Sequence, residues 1–378
     1  MPTPAPKFGT LAIHAGEGRD PVTNAHNTPI YQTATFTFET AEDMIQAVAQ
    51  PLDHFFYSRT GNPTTAVLEK KLAALEGSEE ALVTASGMAA VAIAAMISAK
   101  AGDHILVDED LFVISREFFS KDCPAMGIEV SFVDVRRMET MQAALRPNTK
   151  VLFAETVTNP NMRVADVAAL RRFSDAHALT LIIDNTFLSP YLFRPIELGA
   201  DLVVHSATKY LSGHGDTVAG VLAGRRDDVR RARFKLDSFG QCISPFNSWL
   251  LLRGARTLPL RMRQHNANAL ALAQFLEVHE KVEWVRYPGL ASHPETESAR
   301  RQYAKGFGGM LAMKVRGGLA EMNRFANALE MCGIGVSLGD VFTLVYPRPK
   351  NNNLIRVSVG CEEIEDILAD FGQALARV

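Results

Sequence analysis

The sequence predicts an α/β protein: a mainly parallel sheet between helices, followed by a smaller α/β unit. Three observations carry this expectation. From about residue 56 to 245, helical patterns alternate with short apolar runs, the order of βα units joined by right-handed crossovers. The runs are continuously apolar, as in Leu179-Thr180-Leu181-Ile182-Ile183-Asp184, which suits strands covered on both faces. Near Ser244-Pro245 the character changes to long helical patterns with separate strands, which marks a boundary. The expected division is an arm over 1–55, a sheet domain over 56–245 and a carboxyl-terminal domain over 246–378.

Taken in order, the arm holds few periodic segments beyond a short helix at Ala41 to Val48, and has little core of its own. Ala81-Leu82-Val83-Thr84 then leads through Ala85-Ser86-Gly87-Met88 into an alanine-rich helical run ending near Ala101. The free amides and dipole at such a helix start attract phosphate, although a Ser-Gly turn before a helix is also common without a ligand. Strands follow at Ile105-Leu106-Val107, Val130-Ser131-Phe132-Val133 and Val151-Leu152-Phe153-Ala154, then two that end at Asp184 and His205. A ligand of such a sheet lies at the carboxyl ends of its strands. Beyond the boundary, a helical region spans Trp249 to Val278, and Gly306-Phe307-Gly308-Gly309 precedes a strand at Met310 to Val315. The tail, Glu362 to Leu375, is an amphipathic helix with Ile364, Ile367, Leu368 and Phe371 on one face.

The chemistry gathers at two strand ends. In His205-Ser206-Ala207-Thr208-Lys209-Tyr210, an apolar run gives way to hydroxyl residues and then a lysine. A buried lysine amine shifts its pKa readily and becomes a nucleophile towards carbonyls. The hydroxyls of Ser206 and Thr208 suit a phosphate-bearing aldehyde cofactor. On this stretch alone, a solvent-facing lysine after a strand fits as well. Asp184 ends the preceding strand, where a carboxylate would keep the pyridine nitrogen of pyridoxal phosphate protonated, or would merely cap a helix.

Together with Tyr57-Ser58-Arg59-Thr60-Gly61-Asn62-Pro63-Thr64, Glu155-Thr156-Val157-Thr158-Asn159-Pro160 and Arg356-Val357-Ser358-Val359-Gly360, these stretches resemble the Cys/Met-metabolism family of pyridoxal-phosphate enzymes. That family includes cystathionine γ-synthase, cystathionine lyases, methionine γ-lyase and the O-acylhomoserine sulfhydrylases. The resemblance runs from about Thr10 to Leu375. It implies the aminotransferase-like fold type I, with a seven-stranded, mainly parallel sheet and a smaller α/β carboxyl-terminal domain. It also implies roles. Lys209 would carry the cofactor as a Schiff base and move protons, and Asp184 would pair with the ring nitrogen. The Gly87 and Met88 amides, Ser206 and Thr208 would hold the phosphate, with Tyr57 and Arg59 reaching it from a neighbouring subunit. Asn159 would lie near the ring hydroxyl and the substrate carboxylate, Arg356 would take that carboxylate, and Ser337 would line the substrate side.

The resemblance therefore implies an amino-acid substrate and a homo-oligomer, a tetramer built as a dimer of dimers. Gly213-His214-Gly215-Asp216 and Ser337-Leu338-Gly339-Asp340 look more like methionine γ-lyase than like the sulfhydrylases or cystathionine enzymes, so α,γ-elimination is expected. γ-Replacement, as in cystathionine γ-synthase, is the alternative, and an inactive cofactor-binding homologue is the alternative of another class. Two departures stand out. Phe112, within Asp110-Leu111-Phe112-Val113, replaces the usual tyrosine and can stack on the ring without supplying a phenol. The segment Tyr346-Pro347-Arg348-Pro349-Lys350-Asn351-Asn352-Asn353 is shorter than the family's loop, which carries a Thr-His pair.

Composition fits. The chain has 378 residues, 47% of them hydrophobic, enough for a large core in more than one domain. A net charge of −3 gives no case for nucleic acid or an anionic membrane. The arginines at 225, 226, 230 and 231 are interrupted by Asp227 and Asp228, as on a solvated helix face. Four cysteines lack metal-ligand spacing, no metal is expected, and reduced thiols are the expected state. The proline-rich start, Met1 to Lys7, has no apolar signal core, and no run is long enough to span a membrane, so a cytoplasmic protein is expected.

Overall fold

In the computed structural model, which describes residues 6–378, the apolar runs become a seven-stranded sheet. Its strands are β1 (Glu80–Thr84), β2 (His104–Asp108), β3 (Glu129–Val133), β4 (Thr149–Glu155), β5 (Thr180–Asp184), β6 (Leu202–Ser206) and β7 (Gly220–Gly224). The order is β1-β7-β6-β5-β4-β2-β3, and only β7 runs antiparallel to its neighbours. Successive side chains point to opposite faces. In β5, Leu181 and Ile183 enter the core on one side and Ile182 enters the core on the other. In β6, Val203 opposes Leu202 and Val204 in the same way. Neither face meets water, and that accounts for the unbroken apolar runs.

Sequence reasoning left β7 unnamed. Its run is bounded by glycines, which read as turns, yet all five residues are buried. An added Cβ on Gly220 would lie 2.1 Å from the Ser86 carbonyl oxygen, so β7 passes directly behind the Ser-Gly turn.

A second sheet is made of β8 (Val282–Arg286), β9 (Met310–Val315), β10 (Gly333–Ile334), β11 (Leu344–Arg348) and β12 (Leu354–Ser358), in the order β10-β11-β12-β9-β8. Its core includes Leu311, Met313, Val357 and Phe371, the last from the tail helix Ile364–Leu375. The helical region expected over Trp249 to Val278 is two helices, Pro245–Arg256 and Leu258–Glu277. Pro259, which has no N–H to donate, falls where one ends and the next begins.

The amino-terminal segment holds a helix that its sparse pattern did not announce, Phe8–His14, beside the expected one at Ala41–Ala49. Phe8 and Ala12 are buried, and the buried Lys71 donates to the carbonyls of Ala12 and Ile13 at 2.6 and 3.0 Å. Lys71 also pairs with Glu17 at 3.0 Å, and Arg256 pairs with the same carboxylate. The start of the arm is thus tied to its own subunit. The helix at Ala41–Ala49 instead leaves Met44, Ile45 and Val48 exposed. Residues 1–5 of the expected arm lie outside the described residues.

Candidate active site

Strands β4, β5 and β6 end side by side, with Glu155 in register with Asp184, and their carboxyl ends open into a cavity of about 670 Å³. Ten of the residues singled out from the sequence line it: Gly87, Met88, Phe112, Asn159, Asp184, Ser206, Thr208, Lys209, Ser337 and Arg356. Tyr57 and Arg59 do not. Their side chains are exposed on this subunit, with the Arg59 guanidinium 5.1 Å from the Tyr57 ring centroid and paired with Asp237 at 3.0 Å.

One end of the cavity is a helix start. The helix Gly87–Ser98 is capped by Ser86, whose hydroxyl accepts from Ala89 N at 3.2 Å while its carbonyl accepts from Ala90 N. That leaves the Gly87 and Met88 amides without acceptors among the described residues, directed at the free positive end of the helix. Opposite stands Ser206 at the end of β6. An added Cβ on Gly87 would lie 2.7 Å from Ser206 Cβ and 2.8 Å from its Cα, so only glycine allows this approach. Thr208 lies beside it, its hydroxyl exchanging hydrogen bonds with the Ala219 backbone.

The middle of the cavity holds two carboxyls and an amine. Asp184 Oδ1 accepts from the Thr186 amide (2.9 Å) and hydroxyl (2.6 Å), while Oδ2 has no partner among the described residues. Thr186 also accepts from Ser206 N at 2.8 Å, so one hydroxyl links the two strand ends. Burial pushes the Asp184 carboxyl up, against the Thr186 hydrogen bonds and nearby His205, which pull it down. Glu155 accepts from Phe112 N (2.8 Å) and Asn159 N (3.0 Å), and burial together with Asp184 holds it well above the usual carboxylate range. Lys209 Nζ lies 3.4 Å from Ser337 Oγ and has no carboxylate partner among the described residues. Burial first, and Arg356 second, lower its pKa, which favours the free amine.

The two stretches read as resembling methionine γ-lyase meet around this lysine. An added Cβ on Gly339 (φ +74°) would lie 2.7 Å from Tyr210 N and 3.0 Å from Lys209 C, so the 337–340 loop rests on the lysine's own backbone. Arg261 donates to the Tyr210 carbonyl at 2.7 Å and to the Gly254 carbonyl at 2.8 Å, fixing the other side. At the far end, the buried Arg356 donates from Nη1 to Asn159 Oδ1 (3.2 Å) and from Nη2 to the Val336 and Ser337 carbonyls. Its buried Nε has no partner among the described residues, a donor left unsatisfied. Burial and then Arg348 lower its pKa to about 10, so it stays charged at neutral pH.

The residues fit a phosphate-bearing pyridine aldehyde at three points: unpaired amides facing Ser206, an unpaired Asp184 oxygen, and a lysine amine whose pKa is lowered. Sequence reasoning gave no role to Glu155, Thr186, Tyr346 or Arg348, all of which line the cavity. Glu155 stood inside a quoted motif, and Thr186 lies two residues beyond Asp184. Tyr346 and Arg348 could have been found from their two-residue spacing on a strand beside Arg356.

Comparison with known proteins agrees with this geometry. A family model for Cys/Met metabolism PLP-dependent enzymes matches residues 9–376. An L-methionine γ-lyase of Porphyromonas gingivalis is 42% identical, covering 97% of this chain and 96% of its own. An O-succinylhomoserine sulfhydrylase of Pseudomonas aeruginosa is 39% identical, with 98% and 96% covered. The crystal structure of metB from Corynebacterium glutamicum superposes with a TM-score of 0.93 at 36% identity, covering 98% of each chain.

Proposed function

Since the chain belongs to the Cys/Met-metabolism family of PLP-dependent enzymes, we propose that it catalyses α,γ-elimination on a sulfur amino acid, using Lys209 as the cofactor-bearing lysine. The observation that carries this reading is the convergence of Lys209, Asp184 and the Gly87–Met88 amides on one cavity. Asp184 Oδ2 would hold a proton on the ring nitrogen, and the amides with Ser206 and Thr208 would hold the phosphate. When bound, pyridoxal phosphate supplies an electron sink for the charge left as the α-proton departs.

The chain's own residues do the rest. Arg356 and Asn159 take the α-carboxylate, which a guanidinium fork binds in two places. The Lys209 amine, with its lowered pKa, removes the α-proton and moves protons between substrate carbons. Glu155 fixes the Phe112 backbone, and the Phe112 side chain would stack on the ring. Phe112 offers no proton to a leaving group; Ser115 and Tyr346, which also line the cavity, carry hydroxyls that would supply one within this subunit. γ-Replacement on an O-acyl amino acid is the second reading, favoured by Phe112, because an acyloxy group leaves with less protonation.

The same proposal makes the site composite. Tyr57 and Arg59 would complete a neighbour's phosphate site, Tyr57 acting there catalytically, in a tetramer built from two dimers. Their exposure and the apolar Met44, Ile45 and Val48 nearby in the chain support it. Among the described residues, no helix is long and apolar enough to cross a membrane. Four unpaired cysteines suit a reducing, cytoplasmic compartment.

Borohydride reduction of the holoenzyme followed by peptide mapping tests the assignment: Lys209 is labelled, and a label on any other lysine overturns it. Product analysis with methionine, cystathionine, and O-acylhomoserine plus sulfide then separates elimination from replacement. A 2-oxo acid from a thioether supports elimination, and homocysteine formed from the ester and sulfide supports replacement.

A further inference from the structure

We propose that Arg348 is a second anion-recognition point in this cavity, selecting amino acids whose γ-substituent ends in a carboxylate; the inference rests on the amino-acid reading above. In the antiparallel β11–β12 ladder, Tyr346 pairs with Arg356 and Arg348 pairs with Leu354. Side chains two apart on a strand share a face. Tyr346, Arg348 and Arg356 therefore stand together, and all three line the cavity. Both guanidinium carbons lie 5.1 Å from the Tyr346 ring centroid, so the two cations are separated by at most twice that distance.

Arg348 is held but not neutralised. Its Nε donates to Asn351 Oδ1 at 3.1 Å, in the turn Pro349–Asn351 that joins the two strands. Its terminal nitrogens have no hydrogen-bond partner, and no carboxylate comes within ion-pair reach, among the described residues. Two like charges share a partly enclosed space, and Arg348 disfavours the charged form of Arg356.

Among the described residues, no carboxylate of the cavity pairs with either of them. Glu155 has one oxygen on Phe112 N and the other on Asn159 N, and Asp184 belongs to the ring end. A substrate's α-carboxylate answers Arg356 alone. The second anion must therefore come from the other end of the ligand. A single guanidinium fork matches a singly charged carboxylate, bound through two parallel hydrogen bonds. Val113, Ile114 and Val336, which line the same cavity, suit the aliphatic body between the two charged ends.

Calorimetric titration of the holoenzyme with L-2-aminopimelate and L-norleucine tests this. The two amino acids share an aliphatic side chain and differ in the terminal carboxylate. The wild type is expected to bind the dicarboxylate about tenfold or more tightly, and Arg348→Gln to reduce that preference by about 10- to 100-fold, as for loss of a charge-assisted hydrogen bond. Arg348→Lys, which keeps the charge without the fork, is expected to retain part of the preference. It also carries the comparison if the glutamine variant fails to fold. Norleucine binding with no preference in the wild type, or a preference unchanged in both variants, overturns the role of Arg348 and leaves the amino-acid site standing. Failure of both ligands to bind at millimolar concentration overturns the amino-acid site itself, and this inference with it.

Discussion

Gly87→Ala should weaken cofactor binding without touching any residue that does chemistry. The added methyl carbon would lie 2.7 Å from Ser206 Cβ, 2.8 Å from Ser206 Cα and 3.0 Å from Ser206 Oγ. Shortening Ser206 does not relieve the clash, because one of the three atoms is backbone. Either the helix start or the end of β6 must retreat. β6 sits between β5 and β7 and is buried from Leu202 to His205, so the helix start moves. Overpacking of this kind costs about 1–3 kcal/mol of stability. Moving the Gly87 and Met88 amides off the phosphate forfeits at least one hydrogen bond to a charged group, about 1.5–3 kcal/mol. At about 1.4 kcal/mol per factor of ten, the cofactor dissociation constant rises roughly 10- to 100-fold. Titrating apoprotein with pyridoxal phosphate and following absorbance measures it. A dissociation constant within about threefold of wild type would show that these amides do not carry the phosphate.

Phe112→Tyr should raise elimination from thioethers and leave an O-acyl substrate little changed, since a placed acid contributes roughly 10²–10⁴-fold where the leaving group needs a proton. Equal loss on both substrates would make position 112 a packing residue. Mixing inactive Arg59→Ala and Lys209→Ala subunits should regenerate some active sites if the site is shared; mixed oligomers that recover nothing exclude sharing. His265 is buried, bonded through Nδ1 to the Val359 carbonyl at 2.7 Å, and burial lowers its pKa from 6.5 to about 4. The unfolded chain therefore takes up a proton between those values that the folded chain refuses. The resulting stability is full above pH 6.5 and is lost as pH falls towards 4, by roughly 3 kcal/mol at most. Urea midpoints at pH 7 and pH 5 should differ less in His265→Gln; an unchanged difference refutes the assignment.

The sheet and the cofactor end were legible because each rests on local sequence. Runs such as Leu181-Ile182-Ile183 report burial on both faces, and Asp184 and Lys209 follow their strands directly. β9, expected at Met310 to Val315, occupies Met310–Val315. What stayed hidden depends on contacts between distant segments. The helix Phe8–His14 is held by Lys71, and β7 is identified by its partners β1 and β6 rather than by its glycine-bounded run. Glu155 shows a role only once Phe112 N and Asn159 N are seen on its two oxygens. Tyr57 and Arg59 illustrate another limit, since within a single subunit their exposed side chains lie outside the cavity.

The short connection between β11 and β12 also bears on how quickly the enzyme can change shape. Five consecutive residue pairs, from Leu344–Ser358 to Arg348–Leu354, make the cavity wall part of a ladder. A free loop can swing aside on its own, whereas this wall moves only if backbone hydrogen bonds break. The mouth therefore behaves as a fixed aperture, admitting or rejecting molecules by shape and charge at first encounter. Turnover in such a site should respond little to added viscogen. Broader substrate acceptance should come from lengthening the 349–353 turn rather than from altering the residues beneath the cofactor.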